Sequence, residues 1–353
     1  MKTSRVICVA SISMIFALTV PSRSAIARAP VVCGSKGEVV ASLLAVGDVG
    51  QPRRFLDLFD PGLAVAEAIA SEHARSPAEA LLLLGDNFYP DGLSRETLRD
   101  RLRMNVIGPF CSFLSLGGLH RSDLESACTV AETDRHPRPI IVVLGNHDYG
   151  GSQSAELEKF KVPRWIPEWQ MPTSGAEVYE LPGSISVIAL DSVALHRGGD
   201  VSPLVEALRR SHGDWRILIA HHPLVADGYP WEKRYVSQIQ SAVAETGKPI
   251  QMMLAGHEHL LAVGLTGLKE VPLQLIAGSG ASARPAKSDL MGEVFSLVEL
   301  GFVRIDLIRD HGEMLLRAKL IKTADSPIEW WNEPSVVECY WVDHGGIVRE
   351  SRR

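Results

Sequence analysis

Short apolar runs, nearly all ending in glycine or a polar group, recur along this chain: Val39 to Val46, Leu81 to Leu84, Ile140 to Leu144, Val187 to Leu190, Arg216 to Ala220, Ile250 to Ala255 and Leu273 to Ala277. A run of this kind, such as the four leucines at 81 to 84, reads as a strand covered on both faces. Helical spacing lies between the runs. Ser94 can cap a helix with Leu98, Leu102 and Val106 on one face, and Ser202-Pro203 opens another with Leu204, Val205 and Leu208 inward. Tyr235, Ile239 and Val243 mark a third, closed by Gly247. The alternation predicts an α/β architecture. From Glu293 the pattern changes to longer alternating runs, Phe295 to Leu300, Phe302 to Ile308 and Glu313 to Ile321, joined by Gly301 and by Asp310-His311-Gly312. These predict C-terminal antiparallel strands linked as hairpins.

Two stretches follow neither period. Residues 110–139 hold two cysteines, adjacent glycines and His136-Pro137-Arg138-Pro139, and read as a stapled surface insertion. Trp165 to Tyr179, with prolines and two tryptophans, reads as an ordered loop over a site, or as a purely structural aromatic loop. There is no internal repeat, low-complexity tract or linker, so a single domain over 28–353 is expected.

The N-terminus changes the picture more than the composition does. Lys2 and Arg5 precede an apolar run from Val6 to Val20, followed by Pro21 and Ala25-Ile26-Ala27, the order of a secretory signal peptide over 1–27 cleaved after Ala27. The run is shorter than the roughly 20 residues a membrane span needs. A secreted or periplasmic protein without a stable membrane anchor is expected. Losing Lys2, Arg5 and Arg23 moves the formal charge from -6 to -9, and an acidic chain without a basic run argues against a nucleic-acid surface. Any phosphate must then be attracted locally. Cys33, Cys111, Cys128 and Cys339 remain, an even count in an oxidising compartment. Three pairings are possible, of which Cys111 with Cys128 and Cys33 with Cys339 is preferred.

Candidate chemistry gathers where the strands end. The first gives Gly47-Asp48-Val49-Gly50 and the second Gly85-Asp86-Asn87-Phe88-Tyr89. Further on come Gly145-Asn146-His147-Asp148, His221-His222-Pro223 and Gly256-His257-Glu258-His259. In open α/β sheets ligands collect outside the carboxyl ends of strands, so carboxylates, an amide oxygen, a phenol and histidines share one edge. They are too many for one tetrahedral zinc. Two metal ions are implied, with Asp86 as the natural bridge because it shares a turn with Tyr89. A hard phenolate beside two carboxylates favours ferric iron at one position. A bridged pair lies roughly 3.5 to 4 Å apart, a spacing suited to displacement at phosphorus.

These motifs, in this order, resemble the calcineurin-like metallophosphoesterases. Tyr89 looks like the purple acid phosphatase branch, especially its compact tartrate-resistant type. The likeness spans about residues 40 to 285, with Leu190-Asp191-Ser192-Val193 and Ala277-Gly278-Ser279-Gly280 also similar. It implies two packed β-sheets flanked by helices. It implies Asp48, Asp86, Tyr89 and His259 as ligands of Fe(III), and Asp86, Asn146, His221 and His257 as ligands of a divalent ion, Fe, Zn or Mn. A metal-held hydroxide would attack phosphorus in line, with His147 protonating the leaving oxygen. His222 stands where the family often has tyrosine, as a further proton donor or a loop residue. No additional histidine follows in Asp227-Gly228-Tyr229-Pro230-Trp231. Substrates would be phosphorylated small molecules or phosphoproteins. A phosphodiesterase acting on nucleotides or lipid headgroups, and a secreted protein that binds metal or phosphate without chemistry, are the alternatives. Gly278-Ser279-Gly280 lacks the spacing of a nucleophile elbow or nucleotide fingerprint, and Arg284 beyond it reads as a solvated loop residue.

Overall fold

Four strands come first among the described residues: β1 (Glu38–Val46), β2 (Ala80–Leu83), β3 (Ile140–Val142) and β4 (Trp169–Gln170), paired in parallel in that order. The computed structural model describes residues 33–34, 37–51, 60–117, 121–224, 230–286, 289–323, 333–346 and 348–350. The signal peptide expected over 1–27 and the stretch Asp227 to Tyr229 lie outside them. The chain then builds a second sheet from β5 (Ala176–Leu181), β6 (Ile185–Leu190), β7 (Trp215–Ala220), β8 (Met252–Ala255), β9 (Leu261–Leu265), β10 (Leu273–Ala277) and β11 (Glu293–Leu297). It returns to the first sheet with β12 (Gly301–Asp310), β13 (Glu313–Lys322), β14 (Ser335–Asp343) and β15 (Val348–Glu350). The orders are β15-β14-β13-β12-β1-β2-β3-β4 and β11-β9-β10-β8-β7-β6-β5.

Alternate side chains of the apolar runs go to different cores, and this is why the runs are continuous. Leu43, Leu82, Leu84, Ile141 and Val143 meet Val187, Ile217 and Leu254 between the sheets. Leu44, Leu81, Leu83 and Val142 face a helical layer that includes Val65, Ile69, Leu98 and Leu102. On the other side Leu218 and Met253 pack on Leu204, Leu208, Tyr235 and Ile239. The expected arrangement, two packed sheets flanked by helices with C-terminal antiparallel strands, is observed. Both cysteine pairs, Cys33–Cys339 and Cys111–Cys128, are bonded. Residues 110–139 are also tied to the fold from within, since Phe110, Phe113, Leu114 and Leu124 are buried in the helix-side core.

Local expectations change in three places. Phe295 onward does not form a hairpin with Phe302 onward: β11 pairs with β9 in the second sheet, whereas β12 pairs with β1. Alternation predicts strands at both places but not the sheet each joins, and Leu300 and Phe302 find burial only in the first sheet's core. Trp165 to Tyr179 is not a loop over the site. It supplies β4 and most of β5, with Trp169 fully buried and its ring 6.2 Å from that of Phe88, because a large indole gains most from burial. Ser94 is one turn too early as a cap. The helix Leu98–Leu102 starts after Thr97 and continues as a π-helical turn over Arg103–Ile107, keeping Leu98, Leu102 and Val106 buried. The two later helices run over Ser202–Arg210 and Pro230–Thr246, and a fourth, Pro61–Arg75, is capped by Asp60, whose carboxylate accepts from the Leu63 N–H. Among the described residues no helix is long and apolar enough to cross a membrane.

Candidate metal centre

The parallel strands of both sheets direct their carboxyl ends to one edge, and the five motifs leave the sheets there. Asp48 follows β1, Asp86 follows β2, Asn146 and His147 follow β3, His221 follows β7, and His257 and His259 follow β8. Three of these residues, Asp48, Asp86 and His257, hold φ values of 59°, 54° and 69°. Non-glycine residues in this left-handed region concentrate where function requires it. The flanking glycines are required by crowding: a Cβ on Gly85 would come 2.6 Å from His221 Nδ1, and one on Gly256 would come 2.6 Å from Asp48 Oδ2.

All seven expected ligands converge. The Tyr89 hydroxyl lies 2.8 Å from Asp48 Oδ1, 2.7 Å from Asp86 Oδ2 and 3.1 Å from His259 Nε2. On the other side of Asp86, its Oδ1 is 3.5 Å from His221 Nε2, and that nitrogen and His257 Nδ1 are 3.1 and 3.0 Å from Asn146 Oδ1. Asp86 therefore sits between an oxygen-rich group and a nitrogen-rich group. Supporting contacts orient them. His221 Nδ1–H donates to the Leu84 carbonyl at 2.9 Å, which turns Nε2 to the cluster, and His259 Nδ1 is 2.6 Å from Ser282 Oγ. The His257 N–H donates to Asp48 Oδ2 at 2.8 Å.

The electrostatics ask for a cation. Asp48 is 0% exposed and Asp86 2%, and among the described residues their ion-pair partners are the histidines His259 and His221. Burial opposes the charge on Asp86, but His221, the Tyr89 hydroxyl and the His147 N–H outweigh it and hold the carboxyl below its ordinary range. His221 moves up in turn: its own burial disfavours the charge, and Asp86 and Asp48 overcome it. Burial, then Asp48 and Asp86, push the Tyr89 phenol far up. Buried carboxylates that must borrow a proton from an imidazole and from a phenol form a donor set that metal ions would complete. The ligand atoms of Asp48, Asp86 and His221 lie within 4.8 Å of one another, as do those of His221, His222 and His257.

The calcineurin-like phosphoesterase family profile matches residues 41–261. The chain belongs to that family. Purple acid phosphatase 4 of Arabidopsis thaliana is 26% identical over 165 residues, covering 41% of this chain and 48% of that protein. The chain thus spans about half the length of that relative. Its fold resembles those of GAP50, the anchor in the inner membrane complex of Plasmodium (14% identity, TM-score 0.59, 89% of each chain) and purple acid phosphatase PPD1 of yellow lupin (14%, 0.55, 87% of this chain and 54% of that one). PhoD is similar as well (11%, 0.56, 90% and 72%). The family is dinuclear-metal dependent, and candidate metal-binding residues of this chain gather at its strand ends.

His147 and His222 differ in position. The His147 N–H donates to Asp86 Oδ1 at 2.9 Å, its Nδ1–H donates to the Pro90 carbonyl at 2.6 Å, and its ring lies 4.3 Å from that of Tyr89. His222 is only 7% exposed, with ring centroids of His257 at 4.6 Å and His196 at 4.1 Å, and Nδ1 3.0 Å from Ser192 Oγ. Burial, reinforced by His221, His257 and His196, holds it well below the ordinary imidazole range. Of the two roles open from the sequence, a further proton donor or a loop residue, His222 is a buried ring packed beside His257.

Residues outside the predicted set brace the site. The Asp148 carboxylate accepts from the N–H groups of Gly145, Asn87 and Phe88 at 2.8, 3.1 and 2.9 Å. Burial and the nearby Asp86 push Asp148 up to about 7. Buried Glu158 joins it through Asn87 Nδ2, at 3.1 Å. Arg101 donates to the carbonyls of Gly50 at 3.1 Å and Tyr89 at 2.8 Å, linking the first two motif loops. Asp148 and Asn87 lie inside the motifs and were open to recognition. Glu158 and Arg101 carry no sequence signal, because their roles depend on long-range contacts.

Proposed function

We propose that this chain is a secreted or periplasmic, acid phosphatase-like hydrolase of phosphate monoesters. The observation that carries the reading is Asp86 between two ligand groups at the common edge of both sheets. Asp48, Asp86, Tyr89 and His259 would hold one ion, and Asp86, Asn146, His221 and His257 the other. Hard oxygens around Tyr89 suit Fe(III), and the nitrogen-rich side suits a divalent Fe, Zn or Mn. Such a pair, when bound, supplies Lewis acidity and a nucleophilic water at neutral pH. The two disulfides support an oxidising compartment.

His147 holds and moves the proton needed by the departing oxygen. Its Nδ1 is committed to Pro90, so Nε2 is the atom left for substrate. His147→Ala is expected to retain metal and to lower kcat for an alkyl phosphate by roughly 100- to 10,000-fold. The loss is smaller for a nitrophenyl phosphate, whose leaving group needs little protonation. Equal losses for both esters would sink the general-acid role. Phosphate release from the mono- and bis-esters of nitrophenol tests the substrate class. Preference for the mono-ester is expected; preference for the bis-ester would establish the phosphodiesterase alternative, and turnover of neither would favour a protein that binds without reacting.

A further inference from the structure

Near the strand ends that bear the metal centre the acidic chain exposes two arginines, Arg197 and Arg234. Arg197 follows the short helix Ser192–His196, which leaves the carboxyl end of β6 next to the β7 end that bears His221. Its guanidinium carbon lies 4.8 Å from the centre of the Tyr149 ring. Tyr149 belongs to the same helical turn as His147, and its hydroxyl donates to Asp191 Oδ2 at 2.5 Å. A second chain of contacts reaches the same place. The His196 ring packs on His222, and His222 packs on the ligand His257. Arg197 is thus held over Tyr149 on the His147 side, and its neighbour His196 packs toward His257.

Arg234 is the second arginine. A Cβ on Gly198 would come 3.9 Å from Arg234 Nη1, so the two arginines flank one glycine. The neighbouring Tyr235 donates to the His222 carbonyl at 3.1 Å and packs edge-on against His196, which ties this part of the helix to the same wall. Both arginines are exposed, and among residues whose side chains are described neither has a carboxylate within ion-pair distance. Lys159 nearby is different: Asp191 lies 3.4 Å from its ammonium and offsets the charge. A planar guanidinium stacked on a tyrosine is pre-oriented for a carboxylate or phosphate.

We propose that Arg197 and Arg234 form an anion subsite for the leaving group, and that the preferred substrates are small phosphomonoesters bearing a second anionic group, a carboxylate or phosphate, on the departing alcohol. This rests on the phosphomonoesterase reading above. The subsite acts on specificity: it holds the part of the substrate remote from phosphorus, and binding energy there is expressed in kcat/KM for charged substrates only.

The test compares 4-carboxyphenyl phosphate with 4-(hydroxymethyl)phenyl phosphate in metal-loaded wild type, Arg197→Gln and Arg234→Gln. The quantity read is the ratio of the two kcat/KM values, in which differences of leaving group cancel between proteins. Each variant is expected to lower that ratio about tenfold, through KM for the carboxylate ester. In the wild type the preference weakens as salt is raised. Arg197→Lys keeps the charge without the stacked plane and retains part of the preference. A ratio within twofold of the wild type in both variants would overturn the subsite, including the case in which both esters slow equally. Turnover of neither ester by the wild type would overturn the phosphomonoesterase reading, and this inference with it.

Discussion

Asp86→Ala is expected to lose metal from both positions and to lower kcat/KM for a phosphate monoester by at least about a thousandfold, beyond the roughly 10- to 100-fold typical of residues that only support ligands. The reason is its position. One carboxylate oxygen lies by Tyr89 and the other by His221 and the His147 N–H, so no neighbour can replace it for either ligand group. Asp86 also sits at φ 54°, a conformation that asparagine tolerates better than alanine. Asp86→Asn therefore separates the effects: it preserves the turn and removes the charge. Both variants are expected to be inactive, with the asparagine form nearer wild type in thermal stability. Elemental analysis beside kinetics checks this, and full activity in either variant would refute the bridging role.

The second large effect is on stability, far along the first sheet. Asp306 on β12 is fully buried among cations: Arg304 Nε at 2.7 Å, Arg317 Nη2 at 2.7 Å and Lys319 Nζ at 3.1 Å, with Ser42 Oγ donating at 2.8 Å. Removing one partner of such a group strands the rest, and Asp306→Ala is expected to cost about 3–5 kcal/mol of folding stability. The denaturant midpoint should fall at unchanged slope. The same group sets an acid limit. Burial opposes its ionisation, but Arg304, Lys319 and Arg317 outweigh it and hold the carboxyl far below the ordinary aspartate range. A depressed folded pKa means stability present above about pH 4 and lost as pH falls below it. The variant should therefore lose less than the wild type on acidification. A midpoint unchanged from wild type at neutral pH would contradict the account.

Most of the candidate site is legible because two signals coincide in the sequence. Continuous apolar runs mark strands buried on both faces, and the residues just past their ends must lie at one edge of the sheets. The glycines beside Asp48, Asp86, Asn146 and His257 reflect tight packing that only backbone without a Cβ allows. What was missed depended on three-dimensional neighbours. The two residues of β4 are too few to show a period, and only the burial of Trp169 reveals them. The alternation of β11 and β12 is visible, but their separation between sheets is decided by which core accepts Leu300 and Phe302. The helix Pro61–Arg75 carries its own signal in Asp60-Pro61, a capping aspartate followed by proline at the first helical position. For His222, its place where the family often has tyrosine leaves a proton donor or a loop residue open, and its ring is turned toward Ser192 and His196.

The most direct test of the central claim is the metal content of the purified chain after reconstitution with iron and zinc. The account predicts about two ions per chain, the count of a bridged pair. A chain that holds none, or a single ion on the nitrogen-rich side with Asp48 and Tyr89 left out, would contradict it.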